Sequence, residues 1–487
     1  WPMRLGYVCS SSFSLSLRHA FLVLALLGIA LGLRLYRLED EALWHDELAS
    51  YRCLDAATLG EFLEAERAVD SLMTPAYFIL QYGWTRLLGT AIPTVRLLSV
   101  VLGTLTALAI YGLGRHLFGG FCGVIALLFF ALSPVHIETS QEIRMYALFY
   151  LLAVLSVHSL FVYTRRENSL WGALHLAVNA LLMWTHLLAP ALLVAEAVYL
   201  VWCRPLSGRR ILSWFVVHTA VGLGILCWAA TIDLTTFDAS AGWILPPTLE
   251  VLVLAISAVR TYALQAGKYL ALLQWVFVVP VLVFAVRALR APARSELRRK
   301  TVLVLLWLVV PALTLFVLSH LATPCLVRRY TRYSSFALYI VFGAVLALPA
   351  QRRWRIVGGV LVAGLLALNL AYSERPFRIN WERCANIIIE HGTPGERVLV
   401  RETREIPALL FYLDDAEFDV PAVNDPEAFA RMARAWLNHG RSLWLVLKDE
   451  APVFADPDDT RGGRVETYPI HRQPPFFLYH LIPLKTN

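Results

Sequence analysis

The stretch HAFLVLALLGIALGLRLYRLEDEALWHDE, residues 19–47, decides the fold. Residues 19–33 contain no Asp, Glu, Lys or Arg, and the chain then turns sharply acidic. A helix rises about 1.5 Å per residue, so roughly 20 apolar residues cross a hydrocarbon core of ~30 Å. The 19–33 run is short, but Arg18 and Arg34 bracket it. Both are expected to snorkel toward the interfaces, which lets the segment span. No small-residue cleavage site follows, so it reads as a retained helix and not as a signal peptide.

Further runs of the same kind lie at 97–114, 117–137, 145–164, 211–232, 269–286, 301–327, 333–350 and 356–373. The stretch 168–203 is interrupted only by Glu196 and is long enough for two crossings, with a break expected near His186 and Pro190. The total is about eleven transmembrane helices. Composition agrees: of 487 residues, 58% are hydrophobic and 16% charged, against roughly 45–50% and about 25% in soluble domains. An ordinary soluble enzyme, a disordered regulator and a collagen-like chain are excluded. The seven cysteines are scattered, form no Cys-x-x-Cys pair and indicate neither a disulfide framework nor a zinc site.

Basic residues set the orientation. Arg18, Arg115, Arg165–Arg166, Arg204 with Arg209–Arg210, the basic 287–300 loop and Arg352–Arg353 fall in alternate loops. This places the N-terminus in the cytoplasm of a multi-pass inner (plasma) membrane protein. Loops 37–92, 136–144, the turn near His186, 230–268, 320–332 and the tail from 373 then face outward. Loop 37–92 holds ten acidic residues, four arginines and no lysine. Within it, Ala56, Leu59, Phe62, Leu63, Val69 and Met73 recur at helical spacing against Glu61, Glu64, Glu66 and Arg67, the pattern of an amphipathic helix on the membrane surface. Segments 76–88 and 248–259 are expected to be interfacial or re-entrant helices.

From about Ser373 the composition changes: 18 of the 36 acidic residues lie in the last 115 positions. Strand-like runs (Val398–Val400, Leu443–Leu447, Phe476–Leu481) alternate with helix-like pieces (Trp381–Glu390, Glu427–Leu437). The expected organisation is therefore a transmembrane domain, residues 1–372, and a small soluble extracytoplasmic α/β domain, residues 373–487.

Three constellations could carry chemistry. Trp44-His45-Asp46-Glu47 follows the first span. Gln141-Glu142-x-Arg144-x-Tyr146 lies beyond Ser133-Pro134. Arg328-Arg329-Tyr330 with Arg332 crowds three arginines into an outward loop, against the positive-inside bias. Ionisable groups at membrane depth are costly and point to function. The topology puts Asp46, Glu142, His186 and Arg329 on one face, so four loops could converge on one cavity. Arginine suits bidentate phosphate binding. His186 beside Trp184 reads equally well as a satisfied interfacial histidine.

The ordered set of these residues resembles bacterial membrane glycosyltransferases of family 39, relatives of protein O-mannosyltransferases and aminoarabinose transferases. The resemblance covers residues 20–350 and runs through Trp44-x-Asp46-Glu47, Pro75-Ala76-Tyr77, Arg96-Leu97-Leu98-Ser99, Gly114-Arg115, Ser133-Pro134 to Tyr146, and Arg329-Tyr330. The chain departs from that pattern at Met73-Thr74-Pro75, where the family usually has His-Pro-Pro. The resemblance implies the GT-C fold and sugar transfer from a polyprenyl-phosphate donor to a lipid, glycan or protein hydroxyl on the outer face, with inversion.

In that reading Asp46, Glu47 and Glu142 are the catalytic carboxylates, with Asp46 the general base. Arg329, with Arg332 and Arg144, holds the donor phosphate. Tyr77, Arg96, Gln141, Tyr146, His186 and Tyr330 contact substrate. In this reading no cofactor is named and metal dependence is left open, since Asp46, Glu47 and Glu142 could hold a divalent metal ion. No nucleic-acid partner is expected. The competing readings are a lipid-linked-sugar transporter or flippase, for which internal symmetry and midplane helix breaks are lacking, and a non-catalytic binder of the same lipid.

Overall fold

A computed structural model describes residues 17–70, 72–231, 244–257, 279–287, 290–292, 295–347, 359, 380–401, 406–413, 416–423, 425–448, 464–472 and 475–482. The expected span at 356–373 apart from residue 359, most of that at 269–286, and the domain boundary near 373 lie outside these residues.

Eighteen helices are named here in chain order: α1 (Leu17–Leu35), α2 (His45–Arg52), α3 (Leu59–Val69), α4 (Pro75–Leu88), α5 (Ile92–Phe118), α6 (Gly120–Ala131), α7 (Pro134–Thr139), α8 (Tyr146–Arg166), α9 (Ser169–Met183), α10 (Pro190–Cys203), α11 (Gly208–Ala229), α12 (Leu249–Ser257), α13 (Glu296–Leu321), α14 (Arg328–Thr331), α15 (Ser335–Leu346), α16 (Trp381–His391), α17 (Ile406–Leu413) and α18 (Pro426–Asn438). Five of them, α1, α5, α8, α11 and α13, are long and apolar enough to cross a membrane, and α6, α9 and α10 are shorter apolar helices. A mostly helical membrane protein with a small C-terminal sheet is thus what the chain builds; the eleven-helix expectation extends beyond the described residues.

Local chemistry sets the boundaries. Thr58 and Glu61 form a capping box that starts α3. Pro75 opens α4, where its missing N–H costs nothing, and the next amide, Ala76, donates to the carbonyl of Trp184 at 3.1 Å. The expected break between α9 and α10 falls at residues 184–189. Between α5 and α6 the chain reverses at Gly119, whose φ of 96° suits glycine. Gly114 and Gly123 then let the two backbones touch: a Cβ on Gly114 would stand 3.0 Å from the Gly123 Cα.

Arg34 corrects the snorkelling expectation. It is fully buried and donates to Ser140 Oγ (3.0 Å), the Ala30 carbonyl (2.9 Å) and the Phe130 carbonyl (3.3 Å). Its cation also lies over the Phe130 ring. A buried guanidinium must find acceptors inside the protein, and carbonyl or hydroxyl oxygens from α1, α6 and the 140 turn meet each of its three nitrogens. Gly103 of α5 makes room for this arrangement, since a Cβ there would overlap Ser140 Oγ.

Glu196, the lone interruption of the 168–203 run, also turns inward. It is buried with Ser156, Asn179, His175 and His218, residues of α8 to α11. Ser156 Oγ lies 2.5 Å from Asn179 Oδ1 and 2.6 Å from Glu196 Oε1. Asn179 Nδ2 lies 3.0 Å from Glu196 Oε2 and 2.9 Å from His218 Nε2. Trp214 Nε1 donates to His175 Nε2 at 3.0 Å.

The C-terminal part forms a four-stranded sheet in the order β1-β2-β4-β3, where β1 is Arg397–Val400, β2 Leu443–Lys448, β3 Arg464–Arg472 and β4 Pro475–Ile482. β1 and β2 are parallel and the other pairs antiparallel. Alternate residues of β2 go to opposite faces. Leu443, Leu445 and Leu447 pack with Phe429 and Ala433 of α18. Trp444 and Val446 pack with α16 and α17 in a core that continues into the helical bundle. Covered on both faces, β2 is apolar from Leu443 to Leu447, which is why it was legible; β3 and α17 were not anticipated.

Candidate active site

The site assembles at the end of the bundle where α2, the 140–145 turn, the α9–α10 turn and α14 meet. α2 is only eight residues long, with Asp46 and Glu47 in its first turn, where carboxylates suit the helix dipole. The two diverge from there. Asp46 is partly exposed and accepts from Arg329 Nη1 at 2.9 Å and His45 Nε2 at 2.8 Å. Burial pushes its carboxyl upward, but the His45 hydrogen bond and the Arg329 and Arg144 charges outweigh that and hold it well below the usual carboxylate range.

Glu47 is fully buried. It accepts from Arg96 Nε (3.3 Å) and Nη2 (3.2 Å) and from the Ile143 amide (2.9 Å). Arg96 Nη1 donates in addition to the Leu38 and Glu41 carbonyls at 2.9 and 2.8 Å. One ion pair therefore ties α2 to α5 and to the turn carrying Glu142 and Arg144. Gln141 is likewise engaged with backbone, donating to the Arg34 and Tyr36 carbonyls at 3.0 and 2.9 Å.

Arg329 sits on the short α14, whose backbone is fixed where Tyr150 Oη donates to the Arg329 carbonyl at 2.6 Å. Its guanidinium lies within 5.4–5.7 Å of the ring centres of Trp44, Tyr146 and Tyr330, a cation held among aromatic faces. His186 completes this wall, stacked on Phe149 at 4.6 Å and 5.0 Å from Tyr330. Its Nδ1 accepts from the Leu188 amide at 3.1 Å, so the ring is neutral with its proton on Nε2.

Arg144 reaches Asp70 Oδ2 (2.8 Å), Ser50 Oγ (3.2 Å) and the Asp46 carbonyl (3.4 Å). Burial works against its charge, but Asp70 and Asp46 secure it more firmly than an isolated arginine. Arg332 donates to Thr139 Oγ1 at 3.0 Å. Glu142 is buried, with its carbonyl accepting from Ser99 Oγ at 2.5 Å, and its carboxylate acts on both Arg329 and Arg332. Tyr77 is buried on α4, within the field of Arg144 and Glu47.

The expected convergence of Asp46, Glu142, His186 and Arg329 is therefore what the fold produces, with Arg144, Tyr146 and Tyr330 among them. Glu47, Arg96 and Gln141 stand behind the site, bound to each other or to backbone. Among the described residues no group of three or more His, Cys, Asp or Glu side chains is arranged to hold a metal ion. Sequence reasoning missed Asp70, the partner of Arg144, and misplaced Glu66. Counted on the polar face of α3, Glu66 is buried and accepts from Ser50 Oγ at 3.2 Å. Burial lifts its carboxyl to about 8, only partly opposed by Arg144 and the Ser50 hydrogen bond. The acidic count of loop 37–92 flagged both residues but could not orient them.

Residues 72–232, about a third of the chain, match the family model for dolichyl-phosphate-mannose-protein mannosyltransferases. The fold is similar to ArnT from Cupriavidus metallidurans in the apo state, with a TM-score of 0.55 and 12% identity over 95% of this chain and 98% of that one. The same ArnT bound to undecaprenyl phosphate aligns with a TM-score of 0.54 and 14% identity, over 94% and 97% of the two chains. An Archaeoglobus fulgidus oligosaccharyltransferase tethered with an acceptor peptide aligns with a TM-score of 0.50 and 11% identity, over 89% and 69%. No curated protein sequence matches. The fold is that of the GT-C glycosyltransferases, and the resemblance to membrane glycosyltransferases read from the sequence stands.

Proposed function

We propose that this protein transfers a sugar from a polyprenyl-phosphate donor to a hydroxyl acceptor at the outer face of the membrane, with inversion. The observation that carries the proposal is the Asp46–Arg329 pair, 2.9 Å apart and partly exposed at the aromatic-walled end of a membrane bundle. A base and an anion receptor side by side are what such a transfer needs. The undecaprenyl phosphate bound by the structurally similar ArnT supports the donor class.

The acceptor oxygen attacks the anomeric carbon as the bond from that carbon to the phosphate oxygen breaks. The electron pair leaves with the lipid phosphate, and the acceptor proton passes to Asp46. Arg329 stabilises the charge growing on the phosphate, with Arg332 and Arg144 close behind. In the resting protein Arg329 spends its charge on Asp46, which makes Asp46 a weak base. An arriving phosphate competes for the guanidinium, and Asp46 becomes more basic as its partner turns away. Donor binding thus arms the base.

Glu47 and Arg96 act as positioning residues in this scheme, because their hydrogen bonds are spent on α2, α5 and the 143 turn. Tyr146, His186, Tyr330 and Tyr77 supply walls of the site, and Gln141 fixes the turn beside it. Glu142 tunes Arg329. The test is mass spectrometry of envelope glycolipids, glycans and glycoproteins from a strain lacking the chain, complemented by wild type or by Asp46→Asn. A glycoform restored by wild type and absent with Asp46→Asn at equal membrane levels supports the reading. Restoration by Asp46→Asn would remove the assigned base, and no altered glycoform at all would remove the transferase.

A further inference from the structure

The C-terminal unit reaches down onto the helix that carries Asp46, and it does so at both ends. At eight residues α2 is too short to hold its own conformation in isolation, and its N-cap residue, Trp44, makes no side-chain capping bond. Just ahead of it, the fully buried Leu43 donates its amide to Tyr412 Oη at 2.7 Å. At the far end, Arg52 Nη2 donates to the Pro407 carbonyl at 3.4 Å, the Arg52 cation lies 5.9 Å from the Phe411 ring centre, and Tyr51 meets Phe411 edge-on at 6.2 Å. All three partners belong to α17.

The same helix is anchored from behind. Ile406, Ala408, Leu409 and Leu413 are buried in the core shared with α16, Trp444 and Val446, while Pro407, Phe411 and Tyr412 look toward α2. Burial lifts the Tyr412 hydroxyl above its ordinary range, the Leu43 amide works against that, and the fields of Arg96 and Glu47 reach it as well. So α17 grips both ends of α2 and lies close to the Glu47–Arg96 ion pair that holds its first turn.

We propose that α17 is a positioning element of the transfer reaction: the C-terminal unit, through Tyr412 at Leu43 and through Pro407 and Phe411 at Arg52 and Tyr51, sets the placement of α2 and hence of the Asp46 carboxylate. This rests on the reading of Asp46 as the base. A base displaced by even 1 Å loses much of its effect. Removing the grip therefore lowers turnover while leaving the Arg329 phosphate site, built on a different element, as it was.

The experiment uses the full chain. Tyr412→Phe keeps the ring and removes the acceptor oxygen; Phe411→Ala removes the lower contact; Phe411→Tyr is the conservative partner. Three readouts are taken: hydrogen exchange of the 43–52 amides in nanodiscs, binding of undecaprenyl phosphate, and restoration of the glycoform in the complemented strain at matched, limiting membrane levels. The expected result for Tyr412→Phe and Phe411→Ala is faster exchange confined to 43–52, lipid-phosphate binding within about twofold of wild type, and glycoform output reduced about tenfold, with Phe411→Tyr restoring it. Unchanged exchange and output in both variants would overturn the proposal while Asp46→Asn remained inactive. Parallel loss of binding and output would reassign α17 to general stability. An active Asp46→Asn would bring down the functional reading and this inference together.

Discussion

Among the described residues, two of the buried polar clusters close in opposite ways. In the network of α8 to α11 every hydrogen can be placed. Trp214 donates to His175 Nε2, so that ring carries its proton on Nδ1 and donates to Ser159 Oγ at 3.0 Å. His218 donates from Nδ1 to the Trp214 carbonyl at 2.7 Å and accepts on Nε2 from Asn179. Ser156 gives its single hydrogen to Asn179 Oδ1, so the 2.6 Å contact with Glu196 Oε1 closes only when Glu196 is the donor. The network balances as a neutral set with Glu196 protonated, which is what an apolar surrounding demands.

The cluster around Asp46 is built the other way. It keeps its charges, pairs them across separate loops, and leaves Asp46 and Arg329 partly exposed. The first cluster holds four helices together; the second holds an ion pair that, in the proposed reaction, the donor phosphate would open. The contrast teaches that burial of an ionisable group is no guide to its role. What counts is whether its hydrogen bonds are already spent.

The largest effect that would test this contrast is expected at Asp46. Asp46→Asn should lower transfer by about 10²-fold or more while undecaprenyl phosphate still binds, as measured by lipid-phosphate titration in detergent. Binding lost in step with turnover would make Asp46 a receptor group and blur the distinction. Next comes Glu196. Glu196→Ala leaves Ser156 and Asn179 unsatisfied and should cost roughly 3 kcal/mol in thermal unfolding. Glu196→Gln should cost less than about 1 kcal/mol and abolish the infrared carbonyl band of a protonated acid. Neither should alter lipid-phosphate binding.

For Arg329→Ala, undecaprenyl phosphate affinity is expected to fall by about 10- to 100-fold, with Lys at 329 recovering only part because it offers a point charge instead of a fork. The smallest effect is expected at Glu66. Its folded carboxyl is raised to about 8 from an ordinary 4.5, so the stability it contributes is full below about 4.5 and is lost as pH rises toward 8. Glu66→Gln should therefore stabilise the protein at pH 7 by on the order of 2 kcal/mol, with the gain gone near pH 4. A pH-independent gain in the melting curve would mean that Glu66 is ionised in the fold.

Much of this was legible in the chain. Apolar run length located the principal helices, and the short unbroken apolar run at Leu443–Leu447 predicted β2, whose two faces are both covered. The candidate site was visible as Asp46, Glu142 and Arg329 because charges at the ends of spans stand out against an apolar background. What stayed hidden depends on contacts between distant segments. Arg34 sits where a snorkelling arginine would sit, and only Ser140 and Phe130, about a hundred residues on, turn it inward. Glu66 shares the buried face of its helix with Phe62, one turn away, and only Ser50 and Arg144 from other segments show how a carboxylate is kept there. Glu196 looked like a blemish in a span because its partners, Ser156, Asn179 and His175, come from two other helices. The grip of α17 on α2 joins residues more than 350 positions apart, a distance that no periodicity encodes.

The packing at Gly103 carries a consequence of its own. The position lies inside a long apolar helix, where alanine would normally be the safest of exchanges. Here a single methyl group would strike the Ser140 hydroxyl, which receives Arg34 and belongs to the turn leading to Glu142 and Arg144. A change of one carbon, invisible to any test of hydrophobicity, would travel as a displacement along that turn toward the site. In this fold, tolerance to sequence drift is governed less by the character of a side chain than by whether there is any room for one.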